Sequence, residues 1–320
     1  MKVSVCITVF NEVGSVAKLL ESLLHQSKKP DEIVIVDGGS TDKTVEIIHH
    51  FQKKDRRIRL LVQKSSPAEG RNLSVELAKN NIIAMTDAGC VIDKNWLKRI
   101  AEPFKNREVG IVAGFYKMTG DTVFQKAESA FLGVLPDDFD ATFLPSARSI
   151  AFRKEIWMKV GGFPENKFAT AEDTLFNYKA VEENVKFARV KNALVEWETP
   201  GSVAEFFNKI RNYAKGDAGS KVFRFPTKNL ASHNIKALLI FARYLAGLLL
   251  FVFSFKTPLL AYVLILFLFL YIFWAFRKVY IKFNDVKVGL WGIALQIISD
   301  FGVMLGFVEG ISGVADFKKS

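Results

Sequence analysis

Two aspartates stand where apolar runs break. Asp37 ends the run in IVIVDGGSTDKT (residues 33–44), and Asp87 ends the run in NNIIAMTDAGC (residues 80–90). A short apolar run that stops on a carboxylate reads as a buried strand with an acid at its tip. Such an acid can accept hydrogen bonds from base or ribose donors, or hold a cation that serves a diphosphate. Gly38 and Gly39 let the backbone turn away without putting a side chain into the pocket. No G-x-G-x-x-G follows the first strand and no G-x-x-x-x-G-K-[ST] occurs. That argues against a dinucleotide-dependent dehydrogenase or a P-loop enzyme.

The elements that must carry these acids follow from periodicity. Val3, Val5, Ile7 and Val9 alternate as in a strand, and Val16, Leu19, Leu20, Leu23 and Leu24 follow helical spacing. Ile33–Val36 is a second strand, and Thr41 or Asp42 can cap the helix that buries Val45 and Ile48. Ile58–Val62, Pro67–Lys79 and Ile82–Thr86 read as strand, helix and strand. This alternation predicts an α/β fold, a mostly parallel sheet with helices on both faces. Ligands of such sheets bind beyond the carboxyl ends of the strands, where Phe10, Asn11, Asp37, Gln63, Lys64 and Asp87 stand.

The 320 residues are half hydrophobic, yet the formal net charge is +11. That pairing suits a protein meeting an anionic surface. Residues 237–255 hold Arg243 as their one charge, and residues 257–276 hold none, so both read as membrane spans. Residues 288–308 read as a third span or a re-entrant helix, with Gly302, Gly306 and Gly310 lining a face for packing on the first two. Asp300 on that helix is expected to face protein rather than lipid. Lys221, Arg224, Lys228 and Lys236 precede the first span, and Arg277, Lys278, Lys282 and Lys287 follow the second. The positive-inside tendency then puts the amino-terminal part in the cytoplasm, although a full third crossing would put Lys318 and Lys319 on the other side. The expected organisation is a catalytic part over 1–220, a basic juxtamembrane linker over 221–235 and a membrane part over 236–320. The basic run has no interleaved aromatic platform for nucleic acid, and its place beside a span favours anionic headgroups or a lipid phosphate. Cys6 and Cys90 lie in or beside apolar runs and read as buried thiols, not metal ligands. His49 and His50 close a predicted helix and read as solvent-facing, and His25, at the end of the first helix, has no catalytic role.

Four stretches, in order, resemble the family-2 glycosyltransferases, inverting enzymes of the GT-A fold. They are VSVCITVFNE, PDEIVIVDGGSTDKT, AEGRNLSVELAKNNIIAMTDAG and VGGFPENKFATAEDTLF, over roughly residues 3–180. The resemblance implies a nucleotide-sugar donor, a uridine type favoured, with Thr8, Phe10 and Asp37 around the base beside Asn11, and Arg71 lining the same pocket. It makes Asp87 the first acid of a D-x-D motif, near ribose and metal, and Asp173 the general base, with Glu172 as its understudy. The family's second metal acid is absent, since Asp87 is followed by Ala88 and Gly89. Either Asp87 alone holds Mg2+ or Mn2+ with the diphosphate's oxygens, or basic groups such as Arg148, Arg211 or Lys215 serve instead. Asp93 reads as the start of the next helix rather than a ligand. NKIRNYAKGD stands where processive synthases carry Q-x-x-R-W, without the Gln or the Trp. That favours transfer of one sugar to a membrane acceptor, such as a polyprenyl-linked glycan of the cell envelope.

Blander readings stay open for several of these residues. Thr170-x-x-Asp173 also matches a capping box, Arg71 also fits a solvated first turn, and Trp197 reads as core or acceptor-side packing. Two rival functions stay open as well: a polyprenyl-phosphate sugar synthase, and a membrane scaffold that binds a nucleotide sugar without turning it over.

Overall fold

The computed structural model describes residues 1–165, 170–221 and 233–313. The expected basic linker falls for the most part on 222–232, and Lys318 and Lys319 on the terminal stretch; both lie outside the described residues.

The first seven elements alternate: β1 (Val3–Val9), α1 (Val16–Leu24), β2 (Glu32–Asp37), α2 (Thr44–Lys54), β3 (Ile58–Val62), α3 (Pro67–Leu77) and β4 (Ile82–Met85). Then come β5 (Cys90–Ile92), α4 (Trp96–Ala101), β6 (Val109–Thr119), α5 (Val123–Leu132), β7 (Ile150–Arg153), α6 (Lys154–Val160), α7 (Glu172–Glu182) and β8 (Lys186–Glu198). Four helices follow: α8 (Val203–Gly219), α9 (His233–Ser254), α10 (Pro258–Phe283) and α11 (Val286–Ser312). They form two compact units. One takes in Met1–Met118 and Pro136–Glu198; the other takes in Thr119–Leu135 and the helices from α8 onward.

The first unit is built on a mixed sheet of order β3-β2-β1-β4-β7-β6-β8-β5. The pairings of β1 with β2, β2 with β3 and β1 with β4 are parallel, as the alternation predicts. β7 joins β4 antiparallel, β6 joins β7 antiparallel, and β5 joins β8 antiparallel. These later strands were not among the four expected from periodicity. The parallel register sets Val9, Asp37 and Val62 side by side, so the strand tips end level. All six residues of β2 are buried, which is why its run is apolar without alternation. Val16, Leu19, Leu20 and Leu23 of α1 are fully buried along one stripe.

Helix α3 starts sharply because Ser66 and Glu69 cap each other's backbone, with Pro67 in the first turn. Its inner face is small where it meets β1: a Cβ at Gly70 would sit 2.9 Å from Thr8 Cγ2. On the other side of the core, Phe163 stacks on Phe176 of α7 with centroids 4.5 Å apart, and Phe152 of β7 completes the group. Burial of each ring contributes about 2–3 kcal/mol, and together they fix where α7 begins.

In the second unit, α9, α10 and α11 are long and apolar enough to cross a membrane. The first two expose most of their large apolar side chains, while α11 is buried along much of its length. The packing of α11 differs from the expectation. Gly302, Gly306 and Gly310 meet α8 instead of the first two candidate spans: a Cβ at Gly306 would lie 2.1 Å from the Arg211 carbonyl oxygen, and one at Gly310 2.4 Å from that of Lys215. A second pair, Gly289 and Gly292, admits α10, with Phe276 and Val279 each 2.7 Å from the missing Cβ. Asp300 is fully buried among protein groups, as expected.

Candidate active site at the strand tips

Asp37 is fully buried and organises its own turn. Its Oδ1 accepts from the Gly39 and Ser40 amides at 2.9 and 2.8 Å, and its Oδ2 from the Ser40 hydroxyl at 2.6 Å. Gly39 has φ +96°, a conformation in which a side chain would be strained. The loop after β1 is stitched to this turn. Asn11, itself at φ 54°, receives the Thr41 amide on Oδ1 at 2.8 Å and donates its own amide to Ser40 Oγ at 2.8 Å. Glu12 N–H donates to Thr44 Oγ1, and Val13 N–H to Asp42 Oδ2. Phe10 stands beside the turn, half exposed. The turn also abuts α3's approach, since a Cβ at Gly38 would lie 3.2 Å from the Ser65 carbonyl oxygen. Thr8, Asn11, Asp37 and the start of α3 therefore share one corner of the sheet.

Arg71, one residue past Gly70, is the hub of the arrangement. It is buried, not solvated, and its guanidinium bridges two acids: Nη1 donates to Glu172 Oε1, and Nη2 to Asp87 Oδ1 at 3.0 Å. Burial opposes its charge, but Glu172, Asp87 and Asp173 together hold it above its ordinary value. Burial pushes the Glu172 carboxyl up to about 7, with Arg71 pulling it back and Asp173 and Asp87 adding to the rise. Arg71 thus gathers acids from the tip of β4 and the start of α7, 101 residues apart from Arg71 to Glu172.

Asp173 does not form the capping box with Thr170. Helix α7 begins after Ala171, at φ 72°, without a side-chain cap. Asp173 Oδ2 instead accepts from the Ala147 amide at 3.0 Å and Oδ1 from the Thr174 amide at 2.7 Å. Asn177 Nδ2 donates to the Pro145 carbonyl at 2.6 Å, so the loop before β7 is tied to α7 twice. That loop carries Arg148, stacked between Tyr116 of β6 and Trp197 of β8, 4.9 and 4.2 Å from their ring centroids. Arg148 and Asp87 both act on Cys90, whose thiol burial pushes up to about 12.

Of the expected residues, the sheet unit brings Thr8, Phe10, Asn11, Asp37, Arg71, Asp87, Arg148, Glu172 and Asp173 to its strand-tip end. Arg211 belongs to the helical unit, where its Nε donates to both carboxylate oxygens of Glu309 at 2.9–3.0 Å. Lys215 is buried in that same unit. Asp93 holds the Asn95 amide and Arg99, a structural role. His49 and His50 are exposed, as expected, and so is His25.

Two participants escaped the sequence reading. Asn72 pins the Gly162–Phe163 turn: Oδ1 accepts from the Phe163 amide at 2.8 Å and from Trp157 Nε1 at 3.1 Å, and Nδ2 donates to the Phe163 carbonyl at 2.9 Å. Ser65 stands between the Gly38 turn and Gly70. Its Oγ and Arg71 Nε are buried without a hydrogen-bond partner among the described residues. Both lie at the strand-tip end of the sheet unit.

Among the described residues no group of three His, Cys, Asp or Glu side chains could hold a metal ion. Asp87 with one oxygen on Arg71 fits a hard cation only when a diphosphate and water supply the other oxygens.

Comparisons with known proteins agree with this geometry. Among curated relatives, glycosyltransferase GlyG of Streptococcus pneumoniae is 28% identical over 36% of this chain and 38% of its own length. The uncharacterized glycosyltransferase EpsJ of Bacillus subtilis is 24% identical over 63% of each. The chain thus spans less than two thirds of the length of these relatives. Among solved structures, mannosyltransferase PcManGT of Pyrobaculum calidifontis, in complex with GDP-Man and Mn2+, matches with TM-score 0.62 at 18% identity, over 92% of this chain and 86% of that one. S. aureus TarS 1–349 in complex with UDP matches with TM-score 0.50 at 23% identity, over 69% and 67%. The fold is therefore GT-A. The model of glycosyl transferase family 2 matches residues 4–177, from the first strand through the Arg71 hub and into α7. More than half of the sequence is covered, and the chain belongs to glycosyltransferase family 2.

Proposed function

We propose that this chain moves one sugar from a nucleoside diphosphate sugar, a uridine type favoured, to a membrane-associated acceptor such as a polyprenyl-linked glycan, with inversion. The observation that carries the reading is the Arg71 hub, which brings Asp87 and Glu172 together beside Asp173 at the carboxyl ends of parallel strands. The nucleotide rests on the tips of β1 and β2, against Thr8, Phe10, Asn11 and the Asp37 turn, with the orphan Ser65 hydroxyl within the same corner. Two solved neighbours hold UDP and GDP-Man, which supports a nucleotide-linked donor.

The acceptor oxygen attacks the anomeric carbon as the bond from that carbon to the diphosphate oxygen breaks. Asp173 takes the acceptor proton. Its Oδ1 accepts from the Thr174 amide and hydroxyl, while Oδ2 accepts from the Ala147 amide and keeps capacity for another bond. The Ala147 amide holds the carboxylate in place, and Arg71 and Asn72 hold the two ends of the segment leading to it. Asp87 would hold Mg2+ or Mn2+ together with the diphosphate, where the ion offsets charge on the leaving group. Helices α9 and α10 anchor the chain in a membrane, with the sheet unit on the cytoplasmic side.

One observation favours the polyprenyl-phosphate synthase as a second reading: within the candidate spans, Arg243 and Lys278 share one acid, Asp300. There the nucleophile is an anionic phosphate oxygen and needs no base. The test is turnover of a panel of UDP- and GDP-sugars with native membranes, with and without Mn2+, in the parent chain and Asp173→Asn. The expected result is a lipid-soluble labelled product whose rate falls about 10²–10⁴-fold in Asp173→Asn while donor affinity holds. Label confined to water-soluble product counts against a membrane acceptor, and full activity in the variant favours the phosphate nucleophile. Donor binding without turnover across acceptors favours the scaffold.

A further inference from the structure

Of the basic groups weighed for the leaving group, Arg211 and Lys215 belong to the helical unit and Arg148 to the sheet unit. Register sets where Arg148 stands. β7 runs antiparallel to β4 with Met85 opposite Ile150, so Asp87, two residues past Met85, and Arg148, two residues before Ile150, stand beyond the same end of that pair. The residues flanking Arg148 are pinned. On one side the Ala147 amide donates to Asp173 Oδ2 at 3.0 Å. On the other, Ser149 is buried. Its carbonyl accepts from the Gly114 amide at 3.0 Å, and its hydroxyl accepts from Trp96 Nε1 at 2.9 Å and donates to the Ala193 carbonyl at 3.0 Å.

The side chain is held as firmly as the backbone. Its guanidinium lies 4.9 Å from the Tyr116 ring centroid and 4.2 Å from that of Trp197, and the two rings meet edge to face. Trp197 pairs across the sheet with Cys90, so their side chains share a face. The Cys90 amide in turn donates to the Asp87 carbonyl at 3.2 Å, which closes the Asp87 turn beside that face. Arg148 therefore neighbours the Asp87 turn through Trp197 and Asp173 through Ala147.

Stacking engages a guanidinium by its faces, whereas its N–H groups point outward in the plane. The two rings therefore consume no donors, yet they fix the direction of the fork. Both rings are buried, while Arg148 keeps part of its surface open. A fork so oriented suits a phosphate, which can take two parallel hydrogen bonds from it. The local charge calls for one more cation. Asp87, Glu172 and Asp173 gather about Arg71, whose Nη1 and Nη2 already donate to Glu172 and Asp87. A departing diphosphate adds negative charge to that corner, and a preorganised donor aimed at developing charge is most effective there.

We propose that Arg148 is a catalytic residue that binds the diphosphate of the donor and offsets the charge that grows as the sugar leaves. The bond from the anomeric carbon to the diphosphate oxygen breaks with its electron pair on that oxygen, and the Arg148 N–H groups donate to the diphosphate without giving up a proton. The inference rests on the reading of this chain as a nucleotide-sugar transferase. It gives a side chain a share of the work that the resemblance assigns to the metal of a D-x-D motif.

The test uses the full chain in detergent with EDTA present, and calorimetry with UDP, GDP, UMP and GMP as probes. The parent chain is expected to bind one diphosphate about tenfold or more tightly than its monophosphate. Arg148→Gln is expected to lose about tenfold of the diphosphate affinity while monophosphate affinity holds. Arg148→Lys should fall between, because it keeps the charge without the fork. An unchanged diphosphate preference in folded variants overturns this proposal alone. If neither variant folds, the parent chain decides: a preference for the diphosphate that appears only once Mn2+ replaces EDTA overturns the proposal, since the ion and not the guanidinium then holds the second phosphate. Binding of neither diphosphate even with Mn2+ overturns it together with the donor reading. Polyprenyl phosphate is run alongside as the other source of phosphate. Its loss in Arg148→Gln, with nucleotide affinity intact, overturns the donor assignment and gives the fork to the acceptor.

Discussion

Arg71 bridges two acids, Glu172 and Asp87, with one charge, and the cost of losing it depends on their protonation. Arg71→Met leaves Glu172 and Asp87 without their cation, and removing one partner of a buried pair costs about 3–5 kcal/mol. Burial already lifts Glu172 to about 7, and without Arg71 its neutral form is favoured further. The destabilisation should therefore be greater at pH 8 than at pH 6, as thermal melts at the two values would read. The aspartates were legible in the sequence because each stands where hydropathy breaks. Asn72 was not: its partner Phe163 is 91 residues away, and nothing local marks the meeting. Asp37 was placed correctly at its tip, yet only coordinates reveal that its oxygens hold its own turn.

At the scale of elements, α5 carries an unusual acid. Glu128 is fully buried and neither oxygen has a hydrogen-bond donor among the described residues; the nearby Thr199 hydroxyl is turned to the Thr119 and Gln125 carbonyls. Burial pushes its carboxyl from an ordinary 4.5 up to about 7, with Thr199 and Lys209 opposing and Glu205 adding. Between these values the folded chain keeps a proton that the unfolded chain releases, so stability contributed by Glu128 falls as pH rises from 4.5 to about 7. Glu128→Gln should raise the melting temperature at pH 8 and leave it nearly unchanged at pH 4.5. The α8–α11 contact makes a second prediction. Gly306→Ala forces a methyl against backbone and should cost about 1–3 kcal/mol or more, whereas Gly201→Ala points into open space and should be nearly silent. Denaturant melts of the two variants, side by side, check this. β1, β2 and β4 were legible because burial on both faces leaves apolar runs. β5 has only three residues, too short for a period to declare itself, and β8 is only partly buried.

The whole chain joins a family-2 sheet unit to helices that expose a broad apolar surface, at a net charge of +11. If α9 and α10 are spans, native protein should stay in the membrane pellet through an alkaline carbonate wash; release into the supernatant would show a peripheral attachment that charge alone sustains. Small residues on α11 were legible as a packing face, but their partner was not, because glycine spacing says that a helix approaches without saying which. The answer has a mechanical consequence. α11 is indexed twice, by α10 at Gly289 and Gly292 and by α8 at Gly302, Gly306 and Gly310. One extra residue between the two sets would swing the second by about 100° and advance it about 1.5 Å, presenting a side chain where the Arg211 carbonyl now touches bare backbone. This stretch can vary in composition far more freely than in length, so the count of residues between the two glycine sets is itself part of the design.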